Sequence, residues 1–216
     1  MPYLVRPMCT ADIPQVNEID RECFPTQWPP LSYRRELLTN PISYYLVLLE
    51  HRDGAEEPPV QDSEPGGQHS GTFPDRVKRF FRADGAHEPV TRDHILGVVG
   101  FWIMAGEAHI STIGVRQAYR RLGLGELLLS AAIDLAQTVE ATFVTLEVRA
   151  SNSVAQALYR KYAFGDVGRR KAYYSDREDA VIMSTDSIDS PTFQSHFQRL
   201  KEAHARTRDH VELNLT

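Results

Sequence analysis

The pattern of apolar and polar positions along the chain predicts a mixture of helices and strands. After Thr10, apolar residues recur every three or four positions at Ile13, Val16 and Ile19, which predicts an amphipathic helix that Thr10 can cap. Continuous apolar runs bounded by turn residues, such as 95–104, predict buried strands. The predicted strands are Tyr3 to Arg6, Ser43 to Glu50, Ile95 to Met104, Ala108 to Val115, Thr142 to Val148, Phe164 to Tyr174 and Ala180 to Ser184. The other predicted helices are Ser32 to Leu38, Leu127 to Val139 and Ser153 to Tyr162. This order gives an α/β or α+β domain with a mixed sheet.

A segment from Arg52 to Asp93 interrupts this pattern. It carries five prolines and five glycines, and this composition cannot bury much apolar surface. We interpret residues 52–93 as a mobile insertion in a single domain that spans residues 1–187. Phe73, Val77, Phe80 and Phe81 recur at helical spacing inside the insertion, and they predict either a short helix resting on the domain or a lid or docking element.

Residues 188–216 form a predicted helical extension at the carboxyl end. Pro191 suits the first position of a helix, and Phe193, Phe197, Leu200 and His204 then line one face. This face can pack on the domain itself or form a dimer contact, and the pattern leaves the oligomeric state open.

Composition excludes several classes of protein. The chain has 216 residues, of which 42% are hydrophobic, and its formal net charge of −5 does not favour direct binding of nucleic acid. Residues 1–10 contain no long apolar run behind a basic start, and no stretch approaches the roughly 20 apolar residues of a membrane span. The two cysteines lack metal-ligand spacing, and the eight histidines form no ligand pair, so we expect no metal and a cytoplasmic location.

A glycine-containing turn before a helix is the first chemical signal. Arg120 to Gly125 reads Arg-Arg-Leu-Gly-Leu-Gly and follows an apolar strand. Glycines let backbone N–H groups approach an anion, and the helix behind them adds its positive dipole end. The turn is not a dinucleotide fingerprint, because Leu128 stands at the third glycine position, and it is not a P-loop. The segment therefore predicts a phosphorylated ligand.

The segments after this turn make the pattern specific. Arg-x-x-Gly-x-Gly is followed by a strand reading Leu-Glu-Val-Arg-Ala-Ser-Asn over 146–152, by Ala-Leu-Tyr at 157–159, and by Phe164-Gly165. Tyr173-Tyr174 and the run Glu-Asp-Ala-Val-Ile-Met over 178–183 follow. Together they resemble the GNAT acetyltransferase superfamily, and in particular its ribosomal-protein-alanine N-acetyltransferase (RimI-like) branch. The resemblance covers residues 3–187 without the insertion. Two departures are Ala163, where the family often has glycine, and the loop after Tyr174, which lacks a frequent proline.

The resemblance implies a fold and a set of cofactor contacts. The GNAT acyl-CoA N-acyltransferase fold has a mixed central sheet, flanked by helices, whose central strands splay apart to admit the pantetheine arm of acetyl-CoA. The residues implied to contact acetyl-CoA are Ile113, Gly114 and Val115, then Arg120, Arg121, Leu122, Gly123, Leu124, Gly125 and Glu126 around the pyrophosphate, and Asn152 in the neighbouring helix.

The resemblance also assigns catalytic roles. Glu147 occupies the position of the general base and Tyr159 that of the general acid, while the Val115 N–H would polarise the acetyl carbonyl. Phe24, Tyr173 and Tyr174 fall in loops that shape the substrate slot in the family. Arg149 can equally be a structural ion-pair partner, and we leave it out of the site.

The predicted reaction is direct transfer of acetyl from acetyl-CoA to a protein N-terminal α-amine, with a ribosomal protein bearing an alanine-type N-terminus as the first candidate. The alternatives are a small amine, a lysine side chain, or a catalytically silent acyl-CoA-binding module. The presence of both Glu147 and Tyr159 argues against a silent module, because pure binding requires neither.

Overall fold

The computed structural model describes residues 3–24, 32–50, 93–206 and 211–213. The strands are β1 (Tyr3–Pro7), β2 (Ser43–Glu50), β3 (Ile95–Met104), β4 (Glu107–Val115), β5 (Phe143–Arg149), β6 (Gly165–Arg170), β7 (Ala180–Ser184) and β8 (Val211–Leu213). The helices are α1 (Ile13–Cys23), α2 (Tyr33–Thr39), α3 (Leu124–Thr138), α4 (Ser153–Lys161) and α5 (Pro191–Arg206), with short 3₁₀ turns at Thr10–Asp12 and Gln117–Tyr119.

The strands form one mixed sheet in the order β6-β7-β5-β4-β3-β2-β1-β8. The pairs β4–β5 and β1–β8 are parallel, and the remaining neighbours are antiparallel. The predicted fold class is confirmed. The strand β8 was not predicted, because three residues carry too little periodicity to be recognised.

The two faces of the sheet carry separate apolar cores. On one face, Val99 and Leu146 pack with Leu128 of α3 and Tyr159 of α4. On the other face, α1 and α2 pack on the sheet. The buried residues of this core are Val16 and Ile19 of α1, Tyr33 of α2, and Tyr45, Val47, Ile95 and Val98 of the strands. Because side chains alternate between faces along a strand, β2 and β3 contribute to both cores.

Helix α5 packs on its own chain through the face predicted from its periodicity. Phe193 and Phe197 are 5% and 2% exposed, and the Phe197 ring meets Tyr162 edge-on at 6.1 Å. Lys201 Nζ lies 2.8 Å from Asp134 Oδ1 on α3. The apolar face that could have formed a dimer contact is thus covered within the chain.

One predicted strand is too long. Residues 164–174 were expected to form a single strand, but β6 ends at Arg170. Ala172 has a φ of +50°, and its N–H donates to Asp179 Oδ1 at 2.9 Å, so the backbone turns there. Tyr173 and Tyr174 therefore lie in the connection between β6 and β7.

The insertion predicted at residues 52–93 lies outside the described residues except for Asp93. The strands that flank it, β2 and β3, pair antiparallel as neighbours, with Ser43 opposite Trp102 and Leu48 opposite Gly97. That the insertion is separate from the folded domain stays a proposal.

Gly100 on β3 makes room for a buried tyrosine. A Cβ at this position would lie 2.2 Å from the ring of Tyr45, which is fully buried. We predict that Gly100→Ala lowers the free energy of unfolding by about 1–3 kcal/mol, the usual cost of overpacking a core. Gly165→Ala is the matched control, because the nearest atom to its added Cβ would be 4.0 Å away. Equal denaturant midpoints for the two variants would contradict the prediction.

Candidate active site

A gap in the middle of the sheet defines the site. The parallel pairing of β4 with β5 covers only Glu107–Ile110 opposite Phe143–Leu146. Beyond it, Thr112–Val115 continues to pair with β3 while Glu147–Arg149 pairs with β7. The register between β3 and β4 shifts at Gly100/Phe101, which leaves Ser111 as the extra residue of a bulge. The splayed strands expected from the resemblance are therefore present.

Backbone groups of Val115 face this gap. The next N–H, that of Arg116, donates to the Leu96 carbonyl at 2.8 Å on the β3 side. Because successive backbone groups of a strand point to opposite sides, the Val115 N–H points away from β3. The Val115 carbonyl accepts hydrogen bonds from Arg120 Nε at 3.2 Å and from Cys23 Sγ at 3.3 Å. The geometry fits the predicted polarisation of an acyl carbonyl by the Val115 N–H.

The predicted phosphate turn has the expected backbone form. Gly123 has a φ of +69° and precedes the first residue of α3. Leu127 N–H donates to the Gly123 carbonyl at 3.1 Å, and the earlier N–H groups of a helix have no intrahelical acceptor. A Cβ on Gly125 would meet no atom closer than 4.0 Å, so the backbone there is open. Open N–H groups at a helix start fit the pyrophosphate of a bound acetyl-CoA.

Several predicted cofactor residues also have structural roles. The Arg120 guanidinium lies against the end of α1, with its Nη2 atom 3.5 Å from Cys23 Sγ. Asn152 caps α4, since its Oδ1 accepts from Ala155 N–H at 3.1 Å. Glu126 accepts from Lys161 at 2.5 Å and from Tyr162 at 3.1 Å. Contact of these residues with acetyl-CoA remains a prediction.

Glu147 forms an ion-pair cluster at the edge of the gap. Its side chain is 7% exposed, with Oε2 2.9 Å from His109 Nε2 and Oε1 3.2 Å from Arg170. His109 Nδ1 lies 3.0 Å from Thr145 Oγ1 and 3.3 Å from Glu107 Oε1. The parallel register places His109 opposite Thr145, which brings the imidazole within reach of the carboxylate two residues further along β5.

The cluster keeps Glu147 ionised. Burial by itself raises the pKa of Glu147, but the hydrogen bond from His109 and the charges of His109 and Arg170 outweigh burial and hold the pKa below its usual value. In return, the hydrogen bond to Glu147 raises the pKa of His109 against the opposing effect of burial. The pair is therefore charged over a wider range of pH than either group would be alone.

Tyr159 lies on the opposite face of the sheet from Glu147. Val144, Leu146 and Val148 point into the core beneath α3 and α4, so Glu147 points to the side of α1 and α2. Tyr159 belongs to that core and is 5% exposed. Burial, and to a smaller extent Tyr174, raises the pKa of Tyr159, which keeps the phenol protonated. A base on one face and an acid on the other suit substrates that enter from opposite sides.

Of the aromatic residues predicted to shape the slot, Tyr173 and Tyr174 lie beside Glu147. The Tyr173 and Tyr174 rings meet edge-on at 5.2 Å, and Tyr174 Oη lies 3.5 Å from the Glu147 carbonyl oxygen. Phe24 follows α1 and is 38% exposed. Arg149 is an ion-pair partner of Asp176 and Glu178, at 2.8 and 2.7 Å, and its guanidinium covers the Tyr174 ring. Arg149 is therefore a structural ion-pair partner, which was one of the two roles that the sequence left open.

Two members of the cluster were missed in the sequence, His109 and Arg170. His109 occupies a polar position that alternates with Ala108 and Ile110 along β4, and Arg170 is one of several basic residues near the end of β6. No local pattern distinguishes His109 from the other polar residues of β4, which are Glu107, Ser111 and Thr112. Arg170 could not be selected, since its partner depends on how β6 and β5 are placed on either side of β7.

Comparison with known proteins places the chain in a family. The family model described as "Acetyltransferase (GNAT) family" matches residues 52–164. A "Putative [ribosomal protein bS18]-alanine N-acetyltransferase" of Bacillus subtilis (strain 168) is 33% identical over 83% of this chain and 92% of its own length. The chain belongs to the GNAT family of acetyltransferases. This membership confirms the predicted enzyme class, an acetyl-CoA-dependent N-acetyltransferase.

Solved structures share the fold of this GNAT protein. The crystal structure of the ribosomal-protein-S18-alanine N-acetyltransferase from Escherichia coli has a TM-score of 0.60 at 22% identity, covering 88% of this chain and 97% of the other. Arabidopsis thaliana NAA60 in complex with acetyl-CoA has a TM-score of 0.59 at 16% identity, covering 85% and 98%. At these identities the likeness shows the fold.

The described residues contain neither a membrane-spanning helix nor a cluster of metal-binding side chains. No helix among them has the length and apolarity required to cross a membrane. Within the same ranges, no group of three or more histidine, cysteine or acidic side chains is placed to hold a metal ion. That the enzyme uses no metal stays a prediction.

The His109–Glu147 pair predicts a change in the pH profile. We predict that His109→Leu moves the acidic limb of kcat/KM to higher pH, because burial then raises the pKa of Glu147 without the opposing hydrogen bond and charge. The measurement is kcat/KM for a peptide from about pH 5 to 9, a range that spans the ordinary pKa values of His and the α-amine. His94→Leu is the control, because His94 packs against Tyr119 away from this cluster. An unmoved acidic limb would show that Glu147 is not the group titrating there.

Proposed function

We propose that this enzyme transfers acetyl from acetyl-CoA to the N-terminal α-amino group of a protein, with a ribosomal protein that begins with alanine as the first candidate. The observation that carries the proposal is the placement of an ionised Glu147–His109 pair and a protonated Tyr159 on opposite faces of one gap. The relatives support the acceptor class. Among them, an N-alpha-acetyltransferase of Sulfolobus acidocaldarius is 28% identical over 84% of this chain.

The side of the site that holds Glu147 suits an α-amine. The reference pKa of an α-amino group is about 8, against about 10.4 for lysine. A carboxylate whose own pKa is lowered is a weak base, and through one water it can deprotonate the first amine far more readily than the second. Tyr174 Oη lies 3.5 Å from the Glu147 carbonyl oxygen and its ring meets Tyr173 edge-on, so the first residues of a peptide that reached Glu147 would pass aromatic side chains.

The opposite side of the site suits the cofactor. Acetyl-CoA, when bound, supplies an acetyl thioester. In this proposal the Val115 N–H would polarise its carbonyl, and the open N–H groups at the start of α3 would hold the pyrophosphate. Tyr159 would supply its phenol proton to the sulfur as the C–S bond breaks. The amine attacks the thioester directly, so no covalent enzyme intermediate is required.

The acceptor class is tested with peptides that differ only at their amino terminus. We expect acetyl transfer to a peptide beginning with alanine, and loss of transfer when that α-amine is blocked, even where an internal lysine remains. Mass spectrometry of the product identifies the modified nitrogen. Modification of the lysine in the blocked peptide, or of a small amine at a higher kcat/KM, would replace the proposed acceptor class while leaving acetyl transfer intact.

The general-base role predicts a pH-dependent defect. Glu147→Gln should lower turnover by roughly 10²–10⁴-fold at neutral pH, the usual contribution of general acid–base catalysis. The deficit should shrink above about pH 8, where the α-amine loses its proton without help. Turnover is measured by the release of CoA across this range.

Tyr159→Phe is the matched comparison for Glu147→Gln. It retains the buried ring and removes the proton donor, so its deficit should persist at high pH. If Glu147→Gln shows the same constant deficit, the carboxylate positions the substrate and does not act as the base.

A further inference from the structure

The carboxyl-terminal helix reaches the turn that opens α3. His204, near the end of α5, has Nε2 3.3 Å from the carbonyl oxygen of Gly123. A carbonyl oxygen can only accept, so Nε2 carries the proton and donates. Gly123 is the left-handed residue directly before α3, and its carbonyl also accepts the first intrahelical hydrogen bond of α3, which the Leu127 N–H donates.

Helix α5 is anchored so that this contact is directional. Lys201 bonds Asp134 in the later part of α3, and His204 bonds Gly123 before its first turn, so α5 runs antiparallel to α3. Phe193 and Phe197 are buried in the same core as Leu128 and Tyr162. The position of His204 is thus set by the packing of the whole helix.

We propose that α5 is a working part of the acetyl-CoA site, with His204 as a positioning residue that holds Gly123 and orients the phosphate-binding N–H groups after it. This inference rests on the proposed function, because it takes the start of α3 to be the phosphate site. A backbone turn that must present several N–H groups to one anion loses affinity when its geometry is free to vary. The His204 bond restricts the carbonyl of the residue on which that turn is built.

The chain provides a matched control on the same helix. His196 Nε2 lies 2.8 Å from the carbonyl oxygen of Lys161, the last residue of α4. His196 and His204 therefore make the same kind of bond from α5 to a backbone carbonyl, but only His204 reaches the turn before α3. A loss of helix packing alone would affect both variants, whereas a loss of cofactor positioning would affect one.

The experiment compares CoA binding and steady-state kinetics of the full chain and its variants. We expect His204→Leu to raise the Kd for CoA and the KM for acetyl-CoA by roughly 3- to 10-fold, the effect of one lost hydrogen bond, with kcat and the peptide KM within about twofold of the parent. His196→Leu should leave the Kd for CoA unchanged. His204→Gln should restore binding, because its amide N–H₂ can still donate to the Gly123 carbonyl.

Two outcomes would count against the inference. Equal Kd values for His204→Leu and His196→Leu would overturn it, as would a loss in kcat with an unchanged KM for acetyl-CoA. If His204→Leu fails to fold, the pair His204→Gln and His204→Asn decides the question, since the shorter asparagine cannot span the distance and should bind CoA more weakly. A parent protein that neither binds CoA nor transfers acetyl would instead overturn the proposed function.

Discussion

The limited pairing between β4 and β5 is the constraint on which the site depends. Only four residues of each strand pair, and the bulge at Ser111 turns the rest of β4 away while β3 continues to hold it. Backbone groups exposed by this separation would be costly if they were buried without partners. A ligand with its own amides, or water, must satisfy them. The gap is thus both a local departure from regular sheet structure and the place where we propose that acetyl-CoA binds.

The same gap explains why the chemistry is divided between two faces. Successive side chains of a strand point to opposite sides, so Glu147 lies on one side of β5 while its neighbours join the core that contains Tyr159. A base and an acid on a single face would meet the same substrate. In the proposed reaction the sheet separates the two groups, so that Glu147 acts on the incoming amine and Tyr159 on the departing sulfur. Gly114 contributes by allowing close approach of α1, since a Cβ there would lie 3.0 Å from Cys23 Sγ.

The elements outside the compact domain bear on the site to different degrees. Helix α5 contacts α3, α4 and the turn before α3, which ties it to the proposed cofactor site. The chain also retains Ala163 at a φ of +63°, where the family often has glycine, which accounts physically for the glycine preference at that position. Neither feature removes a proposed catalytic group. Both show how additions and substitutions are accommodated around the proposed reaction centre.

The sequence by itself determined the elements whose signals are local. Periodicity predicted α1, α4 and the packing face of α5, apolar runs predicted β2 and β3, and Gly123 marked the turn before α3. The resemblance led to Glu147 and Tyr159, because their spacing from Asn152 is short and lies within one strand and one helix. Tertiary structure alone decided the contacts between residues far apart in the chain. His109 meets Glu147 across 38 residues through the register of two parallel strands, and His204 meets Gly123 across 81 through helix packing. No local pattern encodes such pairs, since each depends on the relative placement of elements that fold separately.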